Sequence, residues 1–586
     1  MNWDLEKLYP AFDAPEFLSD VEALRQTADA AVEQARSMPL TAAALEEAVN
    51  MASKMATLAT KTMSFAQLTL AADANCEPAM AAYARLMPIM NRIEEAASAL
   101  SAKLGSVEDL EALIAESDLL RAHAFLLRKY KENARHVIDP ALEPTVLKMQ
   151  MTGGSAWEQL RDQLDANHMV EIELDGEMQS LPLSQVRGMA NSADADLRRR
   201  AFEAELAAYP KMEIPMAACL NGIKGEARTL CELKHYDSVL DMALDGANMD
   251  RETLDALLQA MEESLPMFRR YFRLKANLLG YEGGLKFCDL FAPVGSMKSG
   301  YTPEDARELL VKELGDFSPR MGRMIERAFE ERWIDLYPRP GKSGGAFCSG
   351  MHPLGISYVL ANFEGSYGSV STLAHELGHA YHNECMKDMP ILMADYPMPL
   401  AETASIFNET MLAQRILKNA DRDERIAILE QQLSDAAQVI VDIYSRYLFE
   451  SEVVARRADT TLSPAQLCDI MLDAQKRTYG DGLDEEHLHP YMWACKSHYY
   501  STGVHFYNFP YAFGQLFAVG VYALYEQKGA AFLADYEKLL RFAGSGTVRE
   551  VAASVGIDVA DVGFWRSALK VFEEKLEELE KLAQQF

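Results

Sequence analysis

His375 and His379 stand four residues apart in the segment STLAHELGHAYH, Ser371 to His382. On a helix that spacing puts both imidazoles on one face, about one turn from each other. Two neutral imidazoles so placed can share one tetrahedral zinc. Glu376 follows the first histidine and points beside the metal position, where a carboxylate can take a proton from water. This is the HExxH pattern, whose chemistry is metal-assisted peptide hydrolysis. The plain alternative is two surface histidines on an amphipathic helix. Chance alone gives HExxH in on the order of one chain in a hundred of this size. The flanks favour the chemical reading: Gly378 has no side chain, and Ser371 or Thr372 can cap the helix start.

A catalytic zinc usually takes three protein ligands and leaves one position for water. The third must come from elsewhere. Downstream, LAETASIFNETMLAQRIL (Leu400 to Leu417) reads as a second helix with Pro399 at its start. Glu402 and Glu409 are two turns apart and share a face. One can bind the metal while the other hydrogen-bonds a ligand histidine. A glutamate on a helix is ordinarily a solvated charge; the HExxH pattern nearby lifts this pair above that reading.

These residues need rigid elements, and helical periodicity dominates the chain. Thr41 to Leu104 is rich in Ala, Leu and Met. Its Met51, Met55, Met63, Met80, Met87 and Met90 read as packed core rather than an adaptable binding surface. Residues 119–150, 196–208, 252–278, 303–313 and 423–457 also read as helices. Residues 563–583 mix Glu and Lys at spacings of three and four, as a solvent-facing terminal helix does. Strand signals are few. Val170, Ile172 and Leu174 alternate before Asp175-Gly176, a hairpin turn signal, with Leu181 and Leu183 on the return side. Gly344 to Phe363 reads as two short strands around His352-Pro353. The polar stretch Asn191 to Asp196 is the best boundary, which divides the chain into 1–195 and 196–586.

The chain has 586 residues, more than one core usually organises, so two or more lobes are expected. Its 57 basic and 88 acidic residues give a net charge of −31, which repels nucleic acid and anionic membrane. The opening residues lack the pattern of a signal peptide, and no apolar run is long enough to span a membrane. The eight cysteines form no CxxC pair, which argues against a disulfide framework and a cysteine metal site. The cytoplasm is the natural compartment.

HELGHAYH, followed 23 residues after the second histidine by the glutamate of AETAS, resembles the thimet oligopeptidase and oligoendopeptidase F family. RPGKSGGAFCSG (Arg339 to Gly350) resembles the strand before that family's metal helix. HYYSTGVHFYNFPYAFG (His498 to Gly514) resembles its His/Tyr region, and LYPAFDAPEF resembles its start. The resemblance covers most of the chain. It implies a mainly α fold: a two-lobed helical ellipsoid with a deep substrate channel, and a small β-sheet beside the active-site helix. It implies one zinc per chain, with Glu402 as third ligand, Glu376 as general base and Glu409 supporting a ligand histidine. His498, Tyr507 and Tyr511 would bind the substrate carbonyl and stabilise its developing charge, with His505 the rival for the histidine role. A strand at Gly344 to Cys348, opening with Gly344, Gly345 and Ala346, would pair with extended substrate, the glycines permitting close backbone approach; the plain alternative is that they only make a tight turn. Short peptides are the implied substrates, cut internally. A zinc carboxypeptidase of similar helical look usually carries HESQS where this chain has AETAS. A non-catalytic peptide-binding protein with a structural zinc would need a fourth ligand, commonly cysteine. Oligomeric state is not legible.

Overall fold

The computed structural model describes residues 2–139, 141–297 and 299–584. The fold is mainly α, with two small sheets among the described residues. By its internal contacts the chain separates into two compact units, each assembled from three stretches of sequence. One takes Met1–Val137, Lys298–Lys418 and Val521–Ile557. The other takes Ile138–Met297, Asn419–Gly520 and Asp558–Phe586.

The first unit opens on three long helices, Pro15–Ser37, Ala42–Ala72 and Glu77–Gly105. Thr41 caps the second by accepting the Ala44 N–H, and the other two carry proline in their first turn. Of the methionines expected in their core, Met55 is buried, Met51, Met63 and Met90 are half-buried, and Met80 and Met87 are exposed. Alanines take their place: Ala28, Ala66 and Ala79 are fully buried. Small side chains let the helices approach, which pushes longer ones to the rim.

The helix expected across 119–150 is broken. It forms Asp118–Ala122, Ala124–Asn133 and Glu143–Thr152; Pro140 lies outside the described residues. Pro144 lacks the N–H a continuous helix would use and is tolerated in a first turn, where it sits. In the second unit the helices Ala195–Ala208 and Arg251–Leu278 lie where periodicity puts them, capped by Asp194 and Asp250. The 423–457 segment forms Arg422–Ala437 and Ile443–Arg456, joined through one π turn. The terminal helix Val562–Ala583 is not solvent-facing all round. Trp565, Ala568, Phe572, Leu576 and Leu579 form an apolar stripe that packs on Arg251–Leu278 and Arg422–Ala437.

Strands β1 (Met169–Leu174) and β2 (Glu177–Pro182) form the expected hairpin, turning at Asp175 and Gly176 with φ of 53° and 83°. Asp-Gly accepts those angles at low cost. In the first unit β3 (Ile334–Asp335), β4 (Phe347–Met351) and β5 (Ile356–Leu360) form a sheet of order β3-β5-β4. β5 runs parallel to β3 and antiparallel to β4, which leaves β4 at an edge. Among the described residues, no helix is long and apolar enough to cross a membrane.

Candidate active site

The helix Tyr367–Met386 carries HELGH, with β4 and β5 packed on it. Ser366 caps it, accepting the Ser369 N–H at 3.1 Å, so the helix begins about a turn before Ser371. The helix Leu533–Arg541 backs it. There Tyr381 Oη donates to Glu537 at 2.6 Å and His382 Nε2 meets the Leu540 carbonyl at 3.1 Å.

The helix Thr403–Leu417 lies alongside. The two meet at Gly378, where a Cβ would stand 2.5 Å from Ala404 O and Ser405 Cα. Asn408 Nδ2 pins the pair by donating to the Ala374 carbonyl at 3.2 Å. The single helix expected from Leu400 to Leu417 is interrupted. It forms Met398–Ala401 and Thr403–Leu417, with Glu402 at the break.

At that break Glu402 Oε2 lies 3.3 Å from His375 Nε2 and 3.5 Å from His379 Nε2. The two Nε2 atoms are 3.2 Å apart. A tetrahedral zinc with ligands at about 2.0–2.1 Å has donor–donor edges of about 3.3–3.4 Å. The triangle therefore fits such an ion. Among the described residues this group has three members, which leaves one tetrahedral position to solvent or substrate. Ser405 Oγ donates to Glu402 Oε2 at 2.7 Å and steadies it. Glu409 Oε1 stands 3.0 Å from His375 Nδ1, on the other side of the ring, where a carboxylate fixes the imidazole's orientation.

Crowding sets the electrostatics. Burial works against a charge on His375, but Glu402 and Glu409 outweigh it and push its pKa up to about 11. Burial lowers His379 to about 4. Burial also works against the Glu402 carboxylate, yet His375, His379 and Ser405 hold it at about 2. A divalent ion held by these donors would supply the positive charge that the carboxylates demand. Glu376 is buried outside the triangle. Burial, opposed by His375 and aided by Glu402 and Glu409, pushes its carboxyl up to about 7. Burial and then the Glu376 charge hold the Cys348 thiol well above its ordinary value, and burial pushes Cys385 up to about 12. Neither offers a thiolate.

Gly344, Gly345 and Ala346 do not begin the edge strand. β4 starts at Phe347, and Gly345 has a φ of 73°, which ends extended pairing before it. The glycines form an exposed loop that Asn362 Nδ2 ties down by donating to the Ser343 and Gly345 carbonyls. Just upstream, buried Asp335 receives Arg339 in a fork, at 2.6 and 2.9 Å, and Lys342 Nζ at 2.8 Å. Lys342 also donates to the Asp335, Tyr337 and Ala361 carbonyls. Burial works against the Asp335 charge, but Arg339 and Lys342 hold its carboxyl below the usual value. Its stabilising contribution is therefore present above the unfolded pKa of about 3.9 and is lost as pH falls through the folded one. Asp335→Asn is expected to cost about 3–5 kcal/mol in urea unfolding at pH 7. Its stability is also expected to fall less steeply than wild type below about pH 4. Parallel curves would show that another group carries the acid sensitivity. Neither Asp335 nor Asn408 is singled out by the sequence; the basic pair in RPGK is the only hint of an acidic partner.

In the second unit, His498, Tyr507 and Tyr511 come together. Tyr511 Oη lies 3.4 Å from His498 Nε2. Tyr507 stacks on His498 at 5.7 Å and meets Tyr511 edge-on at 5.2 Å. All three are half-buried. Burial, then Arg446, Lys496 and Arg161, lowers His498 to about 4, so it is neutral at pH 7. His505 is buried, burial and Lys224 lower it to about 3, and no described ring contact joins it to the cluster.

Comparison with known proteins gives the site its relatives. The model of peptidase family M3 matches residues 188–294 and 312–571, more than half the chain. Group B oligopeptidase PepB of Streptococcus agalactiae is 27% identical over 485 residues, 81% of this chain and 79% of that protein. A crystal structure from Chlamydophila abortus superposes with a TM-score of 0.84 at 23% identity, covering 99% of this chain and 98% of the other. Oligoendopeptidase-F from Enterococcus faecium gives 0.72 at 19% identity, covering 97% and 99%. At such identities the superpositions show the fold, while the family match extends through HExxH, Glu402 and the His/Tyr cluster. The chain belongs to peptidase family M3 and is a metallopeptidase.

Proposed function

We propose that this protein is a zinc endopeptidase of short oligopeptides, with His375, His379 and Glu402 holding the ion and Glu376 as its general base. The observation that carries this reading is the donor triangle with edges of 3.2, 3.3 and 3.5 Å. When bound, zinc supplies Lewis acidity, which acidifies water and polarises a carbonyl. Glu376 takes the proton of the attacking water and later gives it to the leaving nitrogen. Tyr507 or Tyr511, with neutral His498, donates hydrogen bonds to the carbonyl oxygen as its charge grows. The family resemblance and the clustering of these three rings support that role. Glu409 holds the His375 ring in its ligating orientation. The edge of β4 pairs with extended substrate, and the loop at Gly344, Gly345 and Ala346 admits it to that edge.

The oligopeptidase names of the relatives support short substrates. The family match begins at residue 188, which supports a catalytic region at 196–586 after an N-terminal helical region at 1–195. Eight free cysteines support a cytoplasmic setting. An internally quenched peptide of about eight residues, blocked at both ends, tests the reading. The expected result is internal cleavage that a chelator abolishes and zinc restores. Cleavage only of peptides with a free C-terminus would make the protein a carboxypeptidase. No cleavage across a broad library with zinc bound would leave a binding protein.

A further inference from the structure

Glu450, on the helix Ile443–Arg456, is 1% exposed and uses both carboxylate oxygens. Oε1 accepts Lys224 Nζ at 2.7 Å and the Phe506 N–H at 3.0 Å; Oε2 accepts Asn508 Nδ2 at 2.9 Å. Phe506 has a φ of 53°, a conformation bulky residues rarely hold. Its carbonyl accepts the Asn508 N–H at 2.7 Å, which makes a tight turn with Tyr507 at its centre. Asn508 Oδ1 in turn accepts the Phe509 N–H at 2.7 Å, where the helix Phe509–Lys528 begins. Phe506 and Asn508 are buried while Tyr507 between them is half-buried. One carboxylate thus anchors both neighbours of the residue that carries the hydroxyl.

A buried ion pair loses hydration on both sides, so bringing charge inside gains little unless its hydrogen bonds fix a conformation. Satisfying Glu450 as core filling needs no particular donors. Here two of its three come from residues 506 and 508, and one of those holds a strained backbone in place. We propose that Glu450, paired with Lys224, is a positioning residue that sets the Phe506–Asn508 turn and with it the direction of the Tyr507 hydroxyl. This rests on the reading of Tyr507 as a donor to the substrate carbonyl oxygen.

Asn508→Ala removes one of the three bonds, together with the acceptor of the Phe509 N–H, without unpairing Lys224. It is tested alone, with Tyr507→Phe, and combined with it, by steady-state cleavage of the quenched peptide. Tyr507→Phe is expected to lower kcat about 100-fold, as loss of an oxyanion donor does. Asn508→Ala is expected to lower kcat about 10-fold, with KM moved less than about twofold and the thermal midpoint near wild type. In the Tyr507→Phe background its further cost is expected to be under about twofold. An equal cost in both backgrounds would overturn the positioning role while the Tyr507 reading stands. Unchanged kcat in Tyr507→Phe itself would sink that reading, and the positioning role with it. Should Asn508→Ala fold poorly, Asn508→Ser, a smaller change that also leaves the Lys224–Glu450 pair intact, runs the same cycle.

Discussion

Glu376→Gln is expected to lower kcat by about 10²–10⁴-fold while the protein keeps one zinc. The substitution preserves shape and removes only the ability to take a proton. Glu376 is no part of the donor triangle, so the three ligands keep their spacing. Its burial makes the loss hard to replace, because a buried carboxyl leaves little room for solvent to substitute. Steady-state kinetics with metal analysis on the same samples checks both halves. A variant that retains more than about a tenth of wild-type kcat would show that another group moves the proton. One that loses its zinc would show that Glu376 supports the ion.

The second large effect is expected from a methyl group. Gly378→Ala places a Cβ 2.5 Å from Ala404 O and Ser405 Cα, and both obstacles are backbone. Alanine would otherwise gain about 1 kcal/mol in a helix. Overpacking costs about 1–3 kcal/mol and is relieved only by moving two helices apart. Glu402 sits at the head of one helix and both histidines on the other, so the relief is taken from the 3.3 and 3.5 Å edges of the triangle. Zinc affinity is expected to fall about 10–100-fold, as for losses of ligand support elsewhere. Chelator competition measures it. Full affinity in Gly378→Ala would mean that the interhelix contact has slack and does not set ligand spacing.

Much of this arrangement is legible in the sequence because helix geometry converts spacing into direction. Intervals of four and seven place His375, His379, Glu402 and Glu409 on facing sides of two helices. That Glu402 stands at a break is not legible, since nothing in the run LAETAS interrupts the helical pattern. The hairpin is legible from alternation and Asp-Gly. The start of β4 is not, because a glycine run does not announce which member takes a positive φ. The stripe on the terminal helix lies in the sequence at Trp565, Phe572, Leu576 and Leu579, but the Glu/Lys pattern around it masks it. Asp335 and Glu450 are illegible for a different reason. A carboxylate destined for burial looks the same in sequence as a solvated one, and two of the partners of Glu450 lie 226 and 56 positions away.

The division of each unit among three stretches has a consequence for how the chain is made. Translation delivers about 5–20 residues per second. Met1–Val137 therefore waits on the order of ten seconds for the part of its own unit that carries the metal helix. The donors from His375 to Glu402 then emerge well before Leu533–Arg541, which supplies Glu537 and the Leu540 carbonyl to the helix behind them. A nascent chain thus carries all three proposed metal donors before Leu533–Arg541 can pack on that helix.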